Sequence, residues 1–166
     1  MKDTLFIGGL CAVIVLVGAA LYFIEPSQQS ASSTGTVMFE RYAAGQYALN
    51  VDTQRNYLIQ SQEELESALT LIHGNERPSL PPVDFEKNEV LAVFDGTHST
   101  GGYDIQVAEI VDSQLTRTVH IKHLHPDENC SVPSVITSPY ELVIVPKMRD
   151  TLHLTHTDGV GVAPCR

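Results

Sequence analysis

Tryptophan is absent from this chain, and cysteine is scarce, with three in 166 residues. A fold stapled by several disulfides is therefore excluded, and a core has to be built from aliphatic side chains with a few Phe and Tyr. Basic residues are few as well: 10 Lys and Arg stand against 20 Asp and Glu, for a formal charge of −10. Such a chain repels phosphate backbones, which argues against sequence-independent nucleic-acid binding. The signatures of common catalytic machines are missing too. There is no phosphate loop and no dinucleotide fingerprint, and Thr97 stands two positions before Ser99 where a nucleophile elbow has glycine. His, Ser and Asp occur without the spacing of a triad, so the expectation is a non-enzyme with no cofactor.

At 43% hydrophobic and 18% charged residues, the composition is that of a folded protein, and the length suits one domain. One hydrophobic run is long. Leu5 to Ile24 carries no charge over twenty residues, and as a helix at about 1.5 Å per residue it reaches ~30 Å, the thickness of a bilayer core. Tyr22 lies near its outer end, where an amphipathic ring prefers the interface. A cleaved signal peptide is the competing reading, but its apolar part spans only ~7–15 residues and ends in small side chains. Here the run ends in Leu21-Tyr22-Phe23-Ile24, and Leu10 before Cys11 does not suit lipid attachment. A retained transmembrane anchor over 1–24 is expected. Lys2 precedes the run and the next basic residue is Arg41, so the amino terminus is expected in the cytoplasm and the body outside it. Residues 25–35 are small and polar, a flexible tether. The remainder divides into a domain over 36–158 and a tail over 159–166.

Hydropathy alternates at a period of two through most of that domain. Strands are expected over Val37–Tyr42, Gln46–Val51, Asn56–Ile59, Val90–Phe94, Tyr103–Val111, Leu115–His125, Tyr140–Val145 and Leu152–Thr157, with Ala44-Gly45 as a turn. Val90–Phe94 is apolar throughout, the pattern of a buried central strand. On the next two strands, Tyr103, Ile105, Val107 and Glu109 are expected on one face of the first, and Leu115, Arg117, Val119, Ile121 and His123 on one face of the second. One helix is expected near residues 61–73. Ser61 and Glu64 have capping-box spacing, Leu65, Ala68, Leu69 and Ile72 form one face, and Gly74 is a stop. The fold class is mainly β, antiparallel, sandwich- or barrel-like, with that single helix.

Certain short motifs recur in a particular order. Phe39-Glu40 with Ala43 and Gly45 is followed by the helix, then by Pro82-Val83-Asp84-Phe85. Val90–Phe94 leads to Gly96 and to Ser99-Thr100-Gly101-Gly102-Tyr103, and Ser138-Pro139-Tyr140-Glu141-Leu142-Val143 precedes Pro146-Lys147. This order resembles the PrcB C-terminal family, named for a non-catalytic subunit of a spirochaete surface protease complex, over about Thr36 to Lys147. The resemblance implies an extracytoplasmic accessory or interaction domain and supplies no catalytic residues.

The Thr-Gly-Gly-Tyr element has two readings of its own. Adjacent glycines permit φ > 0 and close backbone approach, which serves either a tight turn or a partner-contacting loop. In the second reading Ser99, Thr100, Gly101, Gly102 and Tyr103 contact a protein partner, with Pro126 to Ser138 as a neighbour. The element is also similar to the shorter Thr-Gly-Tyr loop of chagasin-like cysteine-protease inhibitors, so inhibition through Thr97–Tyr103 is an alternative function. In an oxidising compartment Cys130 and Cys165 can pair, closing a loop that adds ~3 kcal/mol in the chain-entropy model; otherwise both are free thiols. Asn129-Cys130-Ser131 also fits a glycosylation sequon. His123 and His125 lie two apart, so one strand face offers two imidazoles. They are either solvated or part of a metal site completed by Asp127, Glu128 or another strand. The expected function is a membrane-anchored, extracytoplasmic, non-catalytic binding module of bacterial type. Its partners would be a protease or envelope complex, and the lipid bilayer through residues 5–24.

Overall fold

The computed structural model describes residues 34–76 and 78–165. Among the described residues no helix is long and apolar enough to cross a membrane; the Leu5–Ile24 run and the anchor expected there lie outside them.

The helix, α1 (Gln62–His73), forms where the caps predict. Ser61 Oγ accepts the Glu64 backbone N–H at 3.2 Å. Glu64 reaches back to the N–H of Gln60 at 2.6 Å, one residue short of a regular capping box. Gly74 at φ 61 ends the helix and donates its N–H to Thr70 O. The strands are β1 (Gly35–Thr36), β2 (Glu40–Gly45), β3 (Arg55–Ile59), β4 (Asn88–Phe94), β5 (Asp104–Asp112), β6 (Thr116–Pro126), β7 (Tyr140–Pro146) and β8 (His153–Ala163). They make two four-stranded sheets, ordered β1-β5-β6-β8 and β2-β7-β4-β3.

Three layers result. Leu91, Val93, Val143 and Val145 of the second sheet pack on Ile105, Val107, Ile110, Val119 and Ile121 of the first. On the second sheet's other face, Val90, Ala92, Phe94 and Leu142 meet Leu65, Ala68, Leu69 and Ile72 of α1. β4 is therefore covered on both sides, which is why its sequence is apolar at successive positions and does not alternate. Each large aliphatic or aromatic side chain so buried contributes roughly 1.5–3 kcal/mol.

Several expectations are corrected. The sheets are open at β1, β8, β2 and β3, so the molecule is no closed barrel. Most pairs are antiparallel, but β8 runs parallel to β6. The chain leaves β6, crosses into the other sheet as β7, and returns, a connection long enough for a parallel neighbour. β8 also continues to Ala163 and takes in much of the 159–166 stretch read as a tail. Ala44 and Gly45 belong to β2, where Gly45 lies so close to the Tyr140 ring that a Cβ would come within 2.7 Å of its hydroxyl.

Gln46–Val51 is not a strand, because its backbone has other partners. Leu49 and Asn50 donate their N–H groups to Ile72 O and Leu71 O, carbonyls that the end of α1 leaves without helical partners. The face assignment on β5 fails beyond Val107. A register shift between Val107 and Glu109 turns Ile110 inward, fully buried, and Glu109 outward.

Two buried carboxylates explain how the layers stay in register. Glu141 on β7 accepts the Val107 N–H at the β5 bulge and pairs with Arg41 Nε, both at 2.5 Å. It thereby satisfies a backbone donor that the bulge removes from the ladder. Glu89 on β4 accepts from Arg117 Nη1 of β6 at 3.2 Å, and the same guanidinium holds Asp112 through Nε at 2.7 Å and Nη2 at 2.9 Å.

Candidate functional site

The loops joining β2 to β3, β4 to β5 and β6 to β7 gather at one end of the sandwich, together with the end of β8. Residues 95–103 are bonded to their neighbours along their length. Gly96 at φ 82 turns the chain close to the backbone of Thr53 and Gln54. Thr97 donates its N–H to Asp52 O, His98 and Thr137 exchange backbone bonds at 2.8 and 3.0 Å, and Thr137 Oγ1 donates to Thr100 O. Gly101 donates to Pro133 O at 2.9 Å. The His98 and Tyr103 rings stack at 3.8 Å.

The two glycines of Thr-Gly-Gly-Tyr have specific steric duties. A Cβ on Gly101 would lie 2.7 Å from Pro133 Cγ; one on Gly102 would lie 2.8 Å from Pro126 and 2.9 Å from Val132. Only Gly102 has a positive φ, at 86°. The close approach these glycines permit is to the end of β6 and the 127–139 loop of the same chain. Their neighbours Ser99 and Thr100, with Tyr103, complete this composite surface.

Cys130 and Cys165 are joined as a disulfide with Cα atoms 5.4 Å apart, tying the end of the chain to the β6–β7 loop. The glycines, Tyr103, Val132, Val135 and the disulfide line a cavity of about 280 Å³. Tyr47 and Val135 in its lining are 57% and 39% exposed, and Ile136, next to Val135 in the chain, is 67% exposed. These were not legible in the sequence, since nothing local distinguishes an outward Ile136 from a buried one.

Beneath the loops lies a chain of titratable groups that crosses between the sheets. Asp95, just after β4, bonds His98 Nε2 at 2.7 Å through one oxygen and His123 Nδ1 through the other. His123 Nε2 meets Asp158 Oδ1 of β8 at 3.0 Å and Gln54 at 3.2 Å. Burial is the strongest single influence on His123 and pulls its pKa down. Hydrogen bonding and charge from Asp95 and Asp158 together outweigh it and hold the imidazole above its ordinary value.

His125, two residues on, turns instead to Pro126 O at 3.0 Å. The structure thus brings His123 to two carboxylates and a histidine-bearing loop, and does not bring His125 to them. Among the described residues no group of three or more His, Cys, Asp or Glu is arranged to hold a metal ion. A second concavity of about 440 Å³ opens between β3 and β8, over Leu58, Val93, Val119, Ile121, Leu154 and His156.

No curated protein and no solved structure matches the chain. A family comparison does: residues 90–146, from within β4 to the last residue of β7, match the model described as PrcB C-terminal. That stretch holds the buried strands, the Thr-Gly-Gly-Tyr loop and the Ser-Pro-Tyr-Glu motif whose carboxylate satisfies the bulge, and over it the resemblance of this chain to the PrcB C-terminal family is borne out.

Proposed function

We propose that this protein is a non-catalytic binding module, an accessory subunit of a protease-type or envelope complex, tethered to a membrane through residues 5–24 with its domain on the extracytoplasmic side. The family match over residues 90–146 supports an accessory role in a protein complex. The observation that carries the reading is the loop end. Its two loops are bonded to each other along their length, and they surround a cavity with Tyr47 and Val135 exposed in its lining, while Ile136, next to Val135 in the chain, is exposed as well. A preorganised surface with aromatic and aliphatic anchors loses little entropy on docking, which is what a binding face requires. Ser99, Thr100 and the backbone of Gly101, Gly102 and Tyr103 would form its polar part. An inhibitory loop would instead have to project into an enzyme's cleft, and residues 95–103 are tied down at Asp52, Thr137 and Pro133.

Gly101 and Gly102 are poor probes of this face, because any larger residue collides with Pro133, Pro126 or Val132. The exposed side chains are the clean ones. A photo-crosslinking residue placed at Tyr47 or Ile136 in the full chain, in its native membrane, should give the same discrete protein adduct. A probe at Glu66 on the exposed side of α1 should give none, and a Tyr47→Ser, Ile136→Ser double variant crosslinked through Val135 should lose the adduct while keeping its melting temperature. Equal labelling from all positions, or no adduct from the loop end, would defeat the proposal.

A further inference from the structure

The four sheet edges of this domain are not alike. β1 is two residues long. β2 carries a register shift beside Arg41, and β3 is five residues long with Arg55 at its start. Short length, bulges and charged side chains are how natural edges avoid pairing with another chain. β8 is neither short nor bulged. It runs eleven residues in unbroken register with β6, contains no Lys, Arg or Pro, and Asp158 is its one acidic residue.

Its apolar side chains are also uncovered. Val160 pairs in register with His123 and Val162 with His125, which places them on the same face of the sheet as Asp158 and Leu154. That face is the one packed against the second sheet, yet Val160 is 76% exposed, Val162 55% and Leu154 38%.

The sequence of β8 is complementary to itself in one antiparallel register, centred on Thr157. Leu154 then faces Val160 of the second copy, and His156 faces Asp158. On the other face Thr155 meets Gly159 and Thr157 meets its own equivalent. Shifting the centre to Asp158 sets two carboxylates against each other, and shifting it to His156 sets Leu154 against Asp158. Opposite charges and apolar pairs directly across a ladder stabilise it, whereas like charges oppose it. A centre on a residue also lets the outward-facing N–H and C=O groups of one strand meet those of the other, as a two-fold contact needs. We infer that β8 is a homodimer interface, at which a second copy of this chain adds its own β8 antiparallel about Thr157 and fuses the two outer sheets.

The register makes the test specific. In the full chain carrying Cys11→Ser, with the Cys130–Cys165 pair left in place, a Thr157→Cys variant puts two thiols opposite each other at about 4.5–5.5 Å between Cα atoms, within disulfide range. In Thr155→Cys the two thiols are about four residues apart along the ladder, roughly 13 Å, beyond that range. Mild oxidation should yield a covalent dimer from Thr157→Cys at roughly tenfold or more the level from Thr155→Cys, and adding Val160→Lys should remove it while the far-ultraviolet circular dichroism of the folded chain is kept. A Thr157→Cys chain that stays monomeric overturns the inference, as would equal crosslinking from both positions. A monomeric mass for the unmodified chain at high concentration would do the same, leaving the edge to a foreign strand or to none.

Discussion

β4 and β8 are both strands of this domain, and they are built on opposite principles. Every residue of β4 from Glu89 to Phe94 is buried, between α1 on one side and the outer sheet on the other. β8 is exposed over nearly its whole length and is held by its ladder to β6, by the His123–Asp158 contact and by the disulfide just beyond it. The first is specified by packing, where each methylene has neighbours to lose. The second is specified by register and a few polar ties, so its side chains are free to serve surfaces.

The sharpest way to break that contrast is at the buried ion pair. Arg117→Met removes the guanidinium from the buried Glu89 carboxylate and leaves it with the Gln60 Nε2 and Met148 N–H donors. The expected loss is about 3–5 kcal/mol, read from urea unfolding. A neutral result would show that the guanidinium adds nothing beyond the hydrogen bonds from Gln60 and Met148.

A smaller effect is expected at the polar tie between the layers. The His123 pKa is raised on folding from an ordinary value of 6.5, so the stability its charged form contributes is fully present below that pH. It is lost as pH rises through the folded-state value. Melting temperatures followed from about pH 5 to 9 should show this decline in the native chain, and His123→Gln should flatten it, since the amide does not titrate. Unchanged pH slopes in the variant would remove His123 from the account.

Least of all should follow from Val162→Ser on β8. Truncating an exposed side chain there is expected to change stability by no more than about 0.5 kcal/mol in thermal unfolding of the monomeric form. A loss near that of a core residue would show that Val162 is packed within the monomer.

Much of the scaffold was legible because local rules agreed with the global outcome. The Ser61–Glu64 start and Gly74 stop bounded α1, and the unbroken apolar run of Val90–Phe94 identified a strand covered on both faces. Failures occurred where a distant group claimed the backbone. Gln46–Val51 alternates like a strand, yet its amides serve the end of α1. The β5 alternation breaks at a bulge whose acceptor, Glu141, is 34 residues away. The candidate site divides in the same manner. Thr-Gly-Gly-Tyr was visible as a motif, whereas the loop it packs on, and the place of Asp95 between two histidines, depend on contacts far apart in the chain.

The order of residues was enough to set the periods: which segments alternate, which are apolar throughout, and where a helix can start and stop. Only the tertiary packing decided that β8 lies parallel to β6, that β5 slips its register after Val107 where Glu141 accepts, and that Tyr47 and Val135 line one cavity. The physical reason is range. Hydropathy period and capping act over a few residues, while sheet order and side-chain convergence are fixed by which distant surfaces bury each other.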